Sequence, residues 1–429
     1  MRFVVCSRPA CNWLTGAVCL TLALPALAAD WPTFRGADRT AVAPDTDLLK
    51  RWPEGGPPLL WKTTGAGRGY ASVAIAGDKI FTLGDNLSAA PDANEYLSCF
   101  DRETGRRLWI APTGEPWNNG QESWQGSRST PTVADGIVYV ITPHGRLIGC
   151  VAETGQVGKV IDLKAAFGGK KGDSWGYSES VLIDGDQLVC TPGGEQATMV
   201  ALDRKTGQPR WTCSFPGDRG AGHASIVISE VGGTRVYVQT TASGAFGVDA
   251  ETGRLLWSYP IDKTTAVIPT PIVRDDLVYI VAGYKRGGAL LRQVPQGRGV
   301  TVEEVYGLKP ELANKHGGVV LVGEHLYGCA DDRPIIVCAD LQSGKTVWKE
   351  RGSGRNSVAI AAADGHLYLR YQDGTMSLAK ADPGGFAEIS SFQIPGSGDR
   401  PSWSHPVILD GRLYLREGDA ILCYDVRQQ

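Results

Sequence analysis

The chain has 429 residues, 21% of them charged, with a formal net charge of −3, a balance that gives no reason to expect nucleic acid or an anionic membrane as partner. Fifty-five Gly, 25 Pro and 12 Trp fit an all-β protein rich in turns, and the length admits one closed repeat domain.

The chain opens with Arg2 and Arg8, an apolar run over 14–24 and the sequence PALAAD over 25–30. A charged start, a short apolar stretch and small residues before a cleavage point predict a secretory signal over 1–29, removed after Ala28 or Ala29. Neither Cys11 nor Cys19 sits in a lipoprotein cleavage box, so the expected product is soluble and exported, periplasmic or extracellular. No later stretch reads as a membrane span. Residues 30–58 read as an extension that opens WPTFRG (31–36). From 59 to 429 the chain reads as a single domain, beginning with a detached strand, LLW, that ends on Trp61.

One phrase then recurs. CFDRETGRRLW (99–109) returns as ALDRKTGQPRW (201–211), GVDAETGRLLW (247–257) and CADLQSGKTVW (338–348), with a worn copy, CVAETGQVGKV, at 150–160. It carries Asp101, Asp203, Asp249 and Asp340, turn glycines Gly105, Gly207, Gly253 and Gly344, and Trp109, Trp211, Trp257 and Trp348. Counting Gly155 of the worn copy, the glycines are 50, 52, 46 and 91 residues apart, a period that signals a solenoid or propeller. Asp-x-x-Thr/Ser-Gly between apolar runs is a hairpin loop in which the carboxylate accepts turn amides and Gly takes a positive φ. A single hairpin cannot bury the roughly 150–250 Å² of each Trp, so a neighbouring repeat must cover it.

A second element, an apolar run, a turn and a run like Val-Tyr-Val, occurs eight times, from 71–82 to 404–415. The last unit, ending ILCYD (421–425), lacks its Trp strand, and the detached LLW supplies one. Pairing the two closes a ring and removes exposed edges. The predicted fold is an eight-bladed β-propeller of four-stranded antiparallel blades, closed by the N-terminal strand. Cys99, Cys150, Cys338 and Cys423 hold the repeat position occupied elsewhere by Ala201 and Gly247, which reads as small buried side chains rather than a disulfide framework.

These residues resemble the repeat of the pyrroloquinoline-quinone-like propellers, over about 31–425. The family includes quinoprotein alcohol dehydrogenases and a non-enzymatic branch similar to the outer-membrane-protein assembly factor. The enzymes' site implies a quinone between a Trp and a disulfide of adjacent cysteines, with calcium and an Asp base. This chain has no adjacent cysteines, no Cys-x-x-Cys-His for haem, and Glu179 as its main candidate carboxylate near the inner strands. No cofactor and no metal are therefore expected, with pyrroloquinoline quinone plus calcium as the alternative.

The resemblance implies that the first strand of each unit is innermost. Aligning the units then places Tyr70, Arg128, Ser178, His223, Ile268, His316, Ser357 and Trp403 in a ring at one mouth of the central channel, with Tyr177, Arg355, Asn356 and His405 beside it. Trp117, Trp124 and Trp175 fall on long loops. Cations and flat rings there suit a small anionic or polar ligand. The same side chains could instead satisfy blade ends and order water. The expected function is an exported, non-catalytic, monomeric scaffold presenting rim loops (111–127, 283–299) to a protein or polymer, resembling the outer-membrane assembly factor. The alternative is a quinoprotein dehydrogenase or an axial small-ligand binder.

Overall fold

A computed structural model describes residues 1, 2, 4, 30–86 and 94–428. The expected export signal lies outside the described residues apart from three of its positions. Eight antiparallel sheets follow one another around an axis: blade 1 (74–114), blade 2 (132–162), blade 3 (182–213), blade 4 (227–260), blade 5 (272–309), blade 6 (319–351), blade 7 (358–393) and blade 8 (407–425). Each contains four strands in chain order, and the first is innermost. Blade 8 takes its fourth strand from the N-terminal side: Leu59–Thr64 pairs antiparallel with Ala420–Asp425, Trp61 opposite Cys423 and Thr63 opposite Ile421. The predicted closure is therefore present. Arg416 of blade 8 locks the same seam, donating to Ala71 O, Leu83 O and Thr82 Oγ1 of blade 1.

The recurring phrase builds the predicted hairpin. Asp101 Oδ1 accepts from Thr104 N at 2.8 Å and Thr104 Oγ1 at 2.6 Å, and Asp203, Asp249 and Asp340 repeat the pattern. The Trp of one blade lies on the turn glycine of the next. A Cβ at Gly105, Gly155 or Gly253 would come within 2.6, 2.5 or 2.6 Å of Trp61, Trp109 or Trp211. Glycine is thus required twice, for its φ near +71° to +75° and for the ring stacked against it. Trp109 and Trp211 also donate Nε1–H to Ala152 O and Ala250 O across the seam. Where the phrase is worn, substitutes appear: Lys159 of blade 2 faces Gly207, and Tyr306 of blade 5 faces Gly344.

The seven described cysteines are all buried and unpaired. Cys99, Cys150, Cys338 and Cys423 sit in the repeat position expected of small core residues, and burial pushes their thiols up to about 12, 11, 11 and 12. Residues 283–299 do not form the expected rim loop. They lie mostly in a long strand, Gly287–Gln296, which pairs with Gly299–Lys309 and leans its hairpin on blade 4 through Pro295 against Gly232 and Arg298 O against Arg254.

The segment before the closing strand crosses the axis on the side of the Asp-Gly hairpins. Trp31 bridges Ile75 of blade 1, Thr33 bonds Thr132 of blade 2, and Arg39 donates to Ser180 O, Val181 O and Ile226 O of blades 3 and 4. Arg35 donates to Val319 O of blade 6, Val42–Ala43 adds a parallel strand to blade 7, and Asp45 accepts from Gly411 N of blade 8. Two inward-facing guanidinium groups thereby satisfy inner-strand carbonyls that converge too tightly for strands to pair. The channel becomes a cup with one closed end.

Candidate functional site

The cup is a cavity of about 230 Å³, smaller than the roughly 300–1,000 Å³ typical of pockets for drug-sized ligands. Its wall is built from the starts of the inner strands, and its floor from Phe34 and Arg35 of the crossing segment. Of the predicted mouth residues, Tyr70, Arg128, His223, His316, Trp403 and His405 line it. Tyr177 and Arg355 do not. Tyr177 is turned into the apolar cluster between blades 2 and 3, its ring against Gly145 and its hydroxyl donating to Pro192 O at 2.7 Å. Arg355 lies on the connection between blades 6 and 7, which leaves it in solvent. Trp124 and Trp175 line the cavity, whereas Trp117 packs on His144. The 111–127 segment folds over the mouth, held by Arg68 to Asn118 and Gln125.

Aromatic contacts knit one wall together. Trp403 stacks on His316 with centroids 4.5 Å apart and meets Tyr70 at 4.8 Å, and Phe34 meets His405 edge-on at 4.8 Å. Arg128 lies 5.3 Å over the Tyr70 ring. On the opposite wall, Ser178 Oγ sits 2.5 Å from His223 Nδ1, and His223 Nε2 sits 2.8 Å from Asp173 Oδ2, which also accepts from Lys171 Nζ at 3.0 Å. Burial pulls the His223 imidazole down to about 4 and that of His405 to about 3, and it lowers Lys171 to about 8. At neutral pH both imidazoles are uncharged. Desolvation also draws Arg35 and Arg128 down to about 10, which leaves them cationic.

Several contributors escaped the alignment of repeats, among them Phe34, Arg35, Tyr284, Lys315, Gly318 and Asp332. The first two lie in a segment that occurs once, so no periodicity points to it, and Lys315 is visible only as the neighbour of His316. A second column, two residues beyond the first, was also missed. Ser72 N donates to Thr130 Oγ1, Ser180 N to Ser225 Oγ and Ser225 N to Thr270 Oγ1, so hydroxyls join successive inner strands where backbone pairing stops.

The cup's donors do not fit a calcium-held quinone. The lining carboxylate Asp332 is held by Lys315 at 2.8 Å, with His316 at 3.7 Å. Among the described residues no group of three His, Cys, Asp or Glu is arranged to hold a metal. Glu179 is not part of the lining; it accepts from Thr191 N, Thr191 Oγ1 and Gln239 Nε2, and burial raises it to about 8. Because this folded value lies above the ordinary 4.5, Glu179 stabilises the fold most below pH 4.5, and the stability is lost as pH rises through about 8. Glu179→Gln is expected to flatten the fall in melting temperature between pH 5 and 8, an effect of up to about 4 kcal/mol. Thermal melts of both forms across that range check it; an unchanged pH slope would contradict a buried neutral carboxyl.

A family model described as outer membrane protein assembly factor BamB matches residues 93–350. A curated outer membrane protein assembly factor BamB of Burkholderia pseudomallei is 25% identical, over 72% of this chain and 86% of its own length. Among solved structures, BamB from Moraxella catarrhalis superposes with a TM-score of 0.59 at 16% identity, covering 86% of this chain and 99% of that one. A quinohemoprotein alcohol dehydrogenase from Comamonas testosteroni gives 0.63 at 12% identity over 94% and 81%, a likeness of fold alone. The family model spans more than half of the sequence, and this chain belongs to the family described as outer membrane protein assembly factor BamB.

Proposed function

We propose that this protein is an exported, non-catalytic propeller scaffold that serves outer-membrane protein assembly by docking a protein partner on its rim. The observation that carries this reading is the family match over 93–350. The leader is removed near residue 29, and the mature chain acts outside the cytoplasm as a monomer. Among the described residues no helix is long and apolar enough to cross a membrane.

The rim supports a protein partner through its outer strands. Leu59 and Leu60 of blade 8, Leu108 of blade 1, and Val157 and Val160 of blade 2 are exposed on three successive blades. Apolar side chains on adjacent outer strands form the kind of surface a protein covers. In the source cell, removing the protein is expected to lower the amount of folded β-barrel protein in the outer membrane. Wild-type protein restores it, and the Leu60→Asp, Leu108→Asp, Val157→Asp variant, folded by circular dichroism, does not. Unchanged β-barrel levels on removal would contradict the assembly role, and full rescue by the variant would move the partner elsewhere on the rim.

A further inference from the structure

We propose that the closed cup binds one compact organic carboxylate with a flat apolar body, held by Arg35 from the floor and Arg128 from the wall. Arg35 is buried and Arg128 half-buried, and among the described residues neither has a carboxylate partner. Arg35 donates Nε to Arg39 O at 3.1 Å and Nη2 to Thr40 O at 2.8 Å and Val319 O at 2.6 Å. Arg128 donates to Gly126 O and Trp124 O. A cation drawn out of water and met by carbonyl dipoles, with the Tyr70 ring added for Arg128, is costly, and an anion in the cup offsets that cost for both.

Two polar atoms show where the ligand's oxygens go. Arg35 Nη1 and His405 Nδ1 are buried without a hydrogen-bond partner, and both residues line the cavity, whereas His316 Nδ1 faces Asp332 at 3.7 Å. Arg35 is 3% exposed, and its Nη1 reaches the bare Cα of Gly318, where a Cβ would stand 2.6 Å away. The missing side chain leaves that nitrogen facing the cavity between Gly318 and His405. One free guanidinium nitrogen beside neutral imidazoles suits a planar monoanion better than a tetrahedral dianion, which asks for a fork of donors. The walls around it, Tyr70, Trp124, Trp175 and Trp403, offer flat apolar area, and the small volume limits the ligand to about one ring.

Benzoate is the probe, with benzamide as its neutral counterpart and acetate and inorganic phosphate as the other anions. Titration calorimetry and tryptophan fluorescence on the purified protein are expected to show saturable one-to-one benzoate binding, with benzamide at least about tenfold weaker. Arg128→Gln is expected to weaken benzoate by about tenfold or more with its melting temperature unchanged. Arg35→Gln is expected to do the same. Should it fail to fold, the benzoate-to-benzamide ratio and Arg128→Gln still decide. The proposal is overturned if neither benzoate nor acetate binds up to about 10 mM, if benzamide binds as well as benzoate, if phosphate is preferred over both carboxylates, or if Arg128→Gln leaves affinity unchanged.

Discussion

A chain that starts at residue 65 is expected to aggregate rather than form a ring. The truncation strips Leu59–Thr64 from Ala420–Asp425 and leaves the last blade with a bare edge, which invites pairing with another chain. It also removes Trp31, Leu48 and Trp52, which are 3%, 2% and 3% exposed, and takes Trp61 off Gly105. At about 3–5 kcal/mol for a buried Trp and 2–5 for a Leu, the loss is on the order of 10 kcal/mol. That matches the whole stability of a typical domain. Arg35 and Arg39 leave with the segment and expose inner-strand carbonyls that no strand can satisfy. Size-exclusion chromatography with circular dichroism reads the outcome. A monomer melting at the full-length temperature would show that the blades close without the segment.

Trp211→Ala is expected to destabilise by about 3–5 kcal/mol, the largest effect of any single change in the repeat phrase alongside Trp257→Ala. Trp211 and Trp257 are 9% and 5% exposed, whereas Trp61, Trp109 and Trp348 are half-buried and should lose less. The Trp211 ring lies on Gly253 and donates to Ala250 O at 3.1 Å, so its removal opens a cavity at the seam of blades 3 and 4 and leaves Ala250 O with Gln187 as its donor at 3.2 Å. Denaturant unfolding of the five Ala variants should rank them by burial. Equal losses below about 1 kcal/mol would mean that the seams do not depend on these rings.

The fold was legible because its parts repeat. Asp203, Gly207 and Trp211 state the turn, the positive φ and the cover in one phrase, and the same statement at 101–109, 249–257 and 340–348 sets the period. Even the closure was legible, since LLW before the first unit is what ILCYD lacks at the end. The site was legible only as far as repetition reached. Tyr70, Arg128, His223, His316 and Trp403 fall in one alignment column and meet at the cavity, with His405 beside them. Tyr177 shares that neighbourhood in sequence, yet Gly176 at φ +77° precedes it and its ring packs inward, a backbone choice that no column reveals. Arg35 was hidden for the opposite reason. Its segment occurs once, and its partner across the channel, Val319 O, is 284 residues away in sequence.

Hydrogen exchange of the full-length protein tests the central claim most directly, namely that the chain's own N-terminal side closes the ring and seals one end of the channel. The account predicts that the amides of Trp31 and Ala41 and the alternate amides of Leu59–Thr64 that bond Ala420–Asp425 exchange as slowly as those of Ile421–Cys423, because all are locked in one cooperative unit. Exchange of 31–64 at the rate of an open loop, with blade 8 protected, would contradict it.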